Sequence, residues 1–233
     1  MQKNVQAARL YDTPFSREYW AQALSEFKNL RVLIFAALMI ALRVALKSVS
    51  IPIAANLRIN IAFFINAYGA MVFGPVVAIA AAAVSDTLGC LLFPTGPYFF
   101  PFILTEIAGS LIFALFLYRT KVTTLRVTLS RFCIDFFVNI VLNTPIMWLY
   151  YQMMLGRNYV LFDLMRIVKN LVMFPIESVL LVLFLRVVIP PTRKLGYLVS
   201  DIEDLRFTRK SIISLTLLAV VGIAAVVLYI LFK

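Results

Sequence analysis

Residues 59–93 read INIAFFINAYGAMVFGPVVAIAAAAVSDTLGCLLF, an apolar tract with one charged residue, Asp86, and a Phe73-Gly74-Pro75 corner near its middle. Proline cannot continue a helix interior, because it lacks an N–H and its ring clashes with an earlier carbonyl, but it can open a new helix. The tract is therefore expected to form two spans, Ile59 to Phe73 and Val76 to Phe93, joined by a tight turn. A helix crosses a hydrocarbon core of roughly 30 Å with about 20 residues. By that measure the flanking sequence supplies further spans at Leu30 to Val49, Phe99 to Tyr118, Val127 to Met154, Ile167 to Ile189 and Ile212 to Phe232. No stretch shows the long period-two alternation of a membrane barrel. The expected fold is all-α, a polytopic membrane protein.

Composition agrees. Hydrophobic residues make up 63% of the 233 and mean hydropathy is +0.95, against roughly 45–50% apolar residues in soluble domains, which excludes a soluble enzyme. Basic residues divide unequally between the two sides. One side has Lys3, Arg9, Arg17, Lys28 and Arg31, then Arg119, Lys121 and Arg126, then Arg193, Lys194, Arg206, Arg209 and Lys210. The other has Lys47, Arg58, Arg157, Arg166, Lys169 and Lys233. Cytoplasmic loops retain the excess of Lys and Arg, so a cytoplasmic N-terminus and an outer C-terminus are expected in the cell membrane. The net charge of +11 reflects this bias plus attraction to anionic membrane lipids, and no nucleic-acid partner is expected.

The chain divides into an amphipathic N-terminal segment at 1–29, six spans at 30–190, a cytoplasmic connection at 191–211 and an extra span at 212–233. In the first segment Phe15, Tyr19, Trp20, Ala23, Leu24 and Phe27 recur at spacings near three and four, predicting an interfacial helix. Asp12, Glu18 and Glu26 interrupt it, so it does not read as a signal peptide. Cys90 and Cys133 fall inside spans and read as small buried hydrophobes. There is no histidine and no Walker-type glycine loop. No metal, cofactor or intrinsic ATP hydrolysis is expected.

Ionisable groups in hydrocarbon are costly and usually face a cavity or a partner. Arg43, Asp86, Glu106, Arg131, Asp135, Lys169 and Glu177 qualify, with Asn60, Asn66, Asn139, Asn143 and Asn170 as neutral companions. Asp135 follows Arg131 by four residues, which predicts an ion pair on one helix face. Glu177 is open to two readings, a pair with Arg43 holding helices together or a ligand contact. The uncharged loop Phe93-Pro94-Thr95-Gly96-Pro97-Tyr98-Phe99-Phe100-Pro101 offers exposed amides and aromatic faces suited to a planar heterocycle, or else an aromatic belt at the membrane surface. Arg166, Lys169 and Asn170 could clamp carboxylates or contact headgroups. Ala37, Ala41 and Ala45 recur every four residues, a small-residue face that admits another helix or packs internally.

Several ordered motifs together resemble the substrate-binding S components of energy-coupling factor (ECF) vitamin transporters, and among them the folate-specific members. They are Phe73-Gly74-Pro75, Asp86 with Gly89, Phe93-Pro94-Thr95-Gly96 with Tyr98-Phe99, Leu142-Asn143-Thr144 before Trp148, and Arg166 followed by Lys169. The resemblance covers about Leu30 to Pro190 and leaves the seventh span outside it. It implies a binding subunit, not an enzyme, that captures folate outside and delivers it with an ECF module of one coupling protein and two ATPases. The implied site places the pterin against Pro94, Thr95, Gly96, Tyr98, Phe99 and Asn143, with Asp86 facing ring donors, the glutamate tail near Arg43, Arg58, Arg166 or Lys169, and Trp148 among the substrate-binding residues. Ala37, Ala41 and Ala45 match the face by which these subunits dock on the coupling protein. Other readings are an S component for pantothenate, a hydroxymethylpyrimidine or a queuosine precursor, or a membrane enzyme or assembly subunit.

Overall fold

The computed structural model describes residues 10–11, 13–47, 49–54, 57–94, 96–161, 164–196, 205 and 208–231. Helix α1 (Arg17–Ser25) is capped by Ser16, whose hydroxyl accepts from the Tyr19 amide at 3.2 Å. After a short turn the chain bends by 82° into α2 (Leu30–Lys47). A hairpin of β1 (Ser50–Ala54) and β2 (Leu57–Asn60) follows, with Ile51 opposite Ile59. Then come α3 (Ala62–Leu92), α4 (Phe102–Leu117), α5 (Thr124–Cys133), a π-helical segment at Ile134–Leu142, α6 (Asn143–Leu155), α7 (Leu164–Lys194) and α8 (Arg209–Leu231). The chain is an all-α, multi-pass membrane protein.

The Gly74 corner is present. Gly74 has φ +77°, and it divides α3 into two legs with Pro75 opening the second. Only glycine fits, for two reasons: the positive φ is strained for any residue with a Cβ, and that Cβ would lie 2.8 Å from Tyr118 Cζ. The second span starts later than its hydropathy suggests, because Ile59 and Asn60 belong to β2. Asn60 then turns the chain into α3, its side-chain oxygen accepting from the Ala62 amide at 2.8 Å.

Among the described residues, four helical stretches are individually long and apolar enough to cross a membrane, and the bent α1–α2 pair adds a fifth. The seven expected stretches exceed that number because α3 contributes two legs and α4, at 16 residues, is only about 24 Å long. The main core lies where α3, α4 and α7 meet, with Ala67, Ala70, Phe73, Phe113, Ala114, Leu117, Leu181 and Leu185 buried together. Small side chains let the backbones approach, and buried hydroxyls find partners across the seams: Ser110 donates to Asn66 Oδ1 at 2.6 Å, and Tyr68 pairs with Thr192 at 2.5 Å.

At the end opposite the hairpin, α1 is fastened to the bundle. The Tyr19 hydroxyl donates to the Ala114 carbonyl at 3.1 Å, with the tyrosine side chain fully buried. Tyr118 donates to Glu26 at 2.9 Å, and Arg119 bridges both. These contacts set the base from which α2 rises.

Candidate functional site

Near the hairpin end the polar residues of α2, α3, α4 and the π-helical segment turn inward around two adjoining cavities. The inner one, about 320 Å³, is walled by Arg43, Asn66, Arg131, Asn139, Asn143 and Glu177 among others. The outer one, about 490 Å³, is walled by Cys90, Phe93, Gly96, Tyr98, Phe99, Phe102 and Tyr150 among others. Lys47, Asn60, Asp86, Thr105 and Glu106 line both and so form the boundary between them. The combined volume falls in the range of small-molecule sites, roughly 300–1,000 Å³.

Ion pairs organise the inner wall. Arg43 pairs with Glu106. Lys47 donates to Asp86 Oδ1 at 2.6 Å, and Gly89 makes room for the lysine stem, since a Cβ there would meet Lys47 Cδ at 2.5 Å. Arg131 is shared between Glu177, its Nε donating at 3.0 Å, and Asp135 at 3.0 Å, with its guanidinium 4.7 Å over the Phe63 ring. The Arg131–Asp135 pair is the one the four-residue spacing predicts. The suggested Arg43–Glu177 pair does not form, because α7 presents Glu177 to α5 while α4 presents Glu106 to α2. Lys47, read from sequence as a topological charge, is part of the site.

The π-helical segment has a local cause. Pro145 has no N–H for the Val141 carbonyl, and a widened turn accommodates the loss. The Asn143 amide bonds five residues back to Val138. This brings Asn139 and Asn143 to the inner cavity. The Asn143 Oδ1 is buried without a hydrogen-bond partner among the described residues, an acceptor a ligand donor could satisfy. The outer cavity is aromatic: Phe99 and Phe102 approach the Tyr150 ring edge-on or tilted at 5.6 and 5.5 Å. Gly96 lies so close to Tyr150 that an added Cβ would be 2.9 Å from its hydroxyl.

Of the residues singled out from sequence, Arg43, Asp86, Gly96, Tyr98, Phe99 and Asn143 line these cavities. Pro94 is exposed, and Trp148 is half-buried outside the cavity walls. Arg166 is turned to the protein, donating to the Tyr159 hydroxyl at 2.9 Å and the Asn139 carbonyl at 2.6 Å. Lys169 is half-buried on the next turn of α7 and outside both walls. Arg58 lies in β2 opposite Pro52, and Thr95 lies outside the described residues. Cys90 and Cys133 are half-buried rather than buried, and Cys90 lines the outer cavity. Sequence reasoning missed Tyr150 altogether, one aromatic among many with no local motif. Ala37, Ala41 and Ala45 are exposed, so their spacing does not serve internal packing.

A helical membrane bundle with a polar, ion-paired chamber behind an aromatic one has the form of a membrane-embedded small-molecule binding subunit. The chain belongs to the S-component family of ECF-type transporters: the family described as "ECF-type riboflavin transporter, S component" matches residues 28–189. It is similar to the folate transporter FolT of Clostridium novyi (strain NT), 36% identical over 157 residues that cover 66% of this chain and 87% of that protein. It is also similar to FolT of Leuconostoc mesenteroides, 27% identical over 151 residues covering 63% and 80%. A crystal structure of FolT bound with folic acid superimposes with a TM-score of 0.54 at 28% identity, covering 64% of this chain and 88% of that one.

Proposed function

We propose that this chain is the folate-binding S component of an ECF-type importer. The observation that carries the reading is the pairing of an aromatic outer cavity with an inner one containing Arg43, Lys47 and Arg131. Folate needs both, having a flat pterin for stacking and a glutamate tail with two carboxylates. The folate transporters it resembles support the same ligand. Arg43 and Lys47 hold the carboxylates. The aromatic residues Tyr98, Phe99 and Tyr150 of the outer cavity hold the ring, and Asn143 on the inner wall accepts a hydrogen bond from the ligand. Arg166 and Lys169 bring positive charge to the same end.

The hairpin end faces outward and the N-terminus lies in the cytoplasm of a cell whose plasma membrane holds the protein, as the basic-residue asymmetry supports. The subunit binds and hands over its ligand without converting it. It works with an ECF module of one coupling protein and two ATPases, and the outward-facing Ala37, Ala41 and Ala45 are the face where the coupling protein docks. Residues 30–190 are the binding unit, and the span at 212–233 is an addition to it.

The family description favours one competing ligand, riboflavin. Riboflavin has an aromatic ring system but no carboxylate, so it has nothing with which to compete against Glu106 and Asp86 for Arg43 and Lys47. Titrating purified, detergent-solubilised protein with each vitamin separates the readings. About one folic acid per chain is expected, since a pre-formed pocket needs no nucleotide. Binding of riboflavin in place of micromolar folic acid would overturn the folate assignment.

A further inference from the structure

The seventh span lies beyond the residues matched by the family, 28–189, yet it is packed on the bundle at points with different neighbours. Near its start, Leu215 is buried in the main core together with Leu185 and Ile189 of α7. In its middle, Gly222 sits against α7 so closely that a Cβ would fall 2.8 Å from Ile176 Cγ1 and 3.1 Å from Pro175 Cβ. Further along, Val226 is buried in a separate apolar cluster with Val172 and Met173 of α7 and Ile59 of β2, and Phe63 packs on that cluster.

This second cluster is where the extra helix reaches the site. Ile59 precedes Asn60, which lines both cavities and turns the chain into α3. Phe63 lines the inner cavity and lies under the Arg131 guanidinium. A two-stranded hairpin is marginal by itself in water, so its placement depends on what its buried side chains meet, Ile59 among them. Ile59 is only 3% exposed, and the apolar cluster that buries it includes Val226 of α8.

We propose that Val226 is a positioning residue: seated by the close approach at Gly222, it holds Ile59 and Phe63 in place at the mouth of the cavities and thereby slows ligand release. The identity of the released ligand rests on the folate reading; the positioning role does not. Two alanine variants of the full chain separate them, Val226→Ala in the hairpin cluster and Leu215→Ala in the main core. Amide hydrogen exchange across Ser50–Ala54 and Leu57–Asn60 in the empty protein reads hairpin placement without any ligand. Val226→Ala should speed that exchange by about tenfold and raise the folic acid dissociation rate by a comparable factor. Leu215→Ala should lower thermal stability and leave both rates near wild type, and Val226→Ile should restore them. Wild-type protein that ignores folic acid and binds riboflavin would sink the folate reading alone, with riboflavin dissociation then measured in its place. Unchanged hairpin exchange in Val226→Ala, or equal acceleration by Leu215→Ala, would overturn the positioning role.

Discussion

Arg43 of α2 and Glu106 of α4 form an ion pair across the site, but only Glu106 reaches the outer cavity as well as the inner one. The carboxylate therefore stands between an incoming ligand and the guanidinium. In the empty protein it neutralises a cation that would be costly to leave alone in a low-dielectric interior. An anionic ligand must compete with it for Arg43, and a neutral one need not.

Glu106→Gln should therefore tighten folic acid binding by about tenfold, because it removes the competing charge while preserving size. Riboflavin binding, if measurable, should stay unchanged. Isothermal titration of both vitamins against the variant checks this. Equal effects on both would show that Glu106 acts through packing and not as a competitor for Arg43.

Arg131 holds two carboxylates, Glu177 and Asp135, from different helices. Arg131→Met should destabilise the protein by about 3 kcal/mol, since both acids are left buried without their cation. Combining it with Glu177→Leu should recover part of the loss. Thermal unfolding in detergent reads both values, and a single variant as stable as wild type would show the pair to be dispensable.

Gly74→Ala combines a strained positive φ with a clash against Tyr118. A loss of about 3 kcal/mol is expected. Gly109, where an added Cβ meets nothing within 4 Å, is the control, and Gly109→Ala should be close to neutral. Melting temperatures of the two variants decide the matter.

Ala41→Leu enlarges an exposed face of α2 that lines neither cavity. Ligand binding by the isolated subunit should be retained, while uptake in cells containing the ECF module should fall, because a branched side chain keeps a partner helix at a distance. Normal uptake together with normal copurification of the coupling protein would remove Ala37, Ala41 and Ala45 from the docking role.

The helical spans, the Gly74 corner and the Arg131–Asp135 pair were legible because each depends on residues near one another in sequence: apolar length, a Gly-Pro step, a four-residue spacing. The outer cavity was legible in part for the same reason, since Gly96, Tyr98 and Phe99 share one short loop. Choice of partner across helices was not legible. Arg43 stands 63 residues from Glu106, and Arg131 stands 46 from Glu177. Which acid meets which base depends on the faces that α2, α4, α5 and α7 turn to one another, and that rotation is set by packing of small and aromatic side chains rather than by charge. The same packing moved Lys47 from the membrane surface into the site, brought Tyr150 beside Gly96, and gathered Val226 of α8 into one apolar cluster with Ile59 of the hairpin. Hydropathy records that a segment prefers lipid to water, but not which of its sides meets protein.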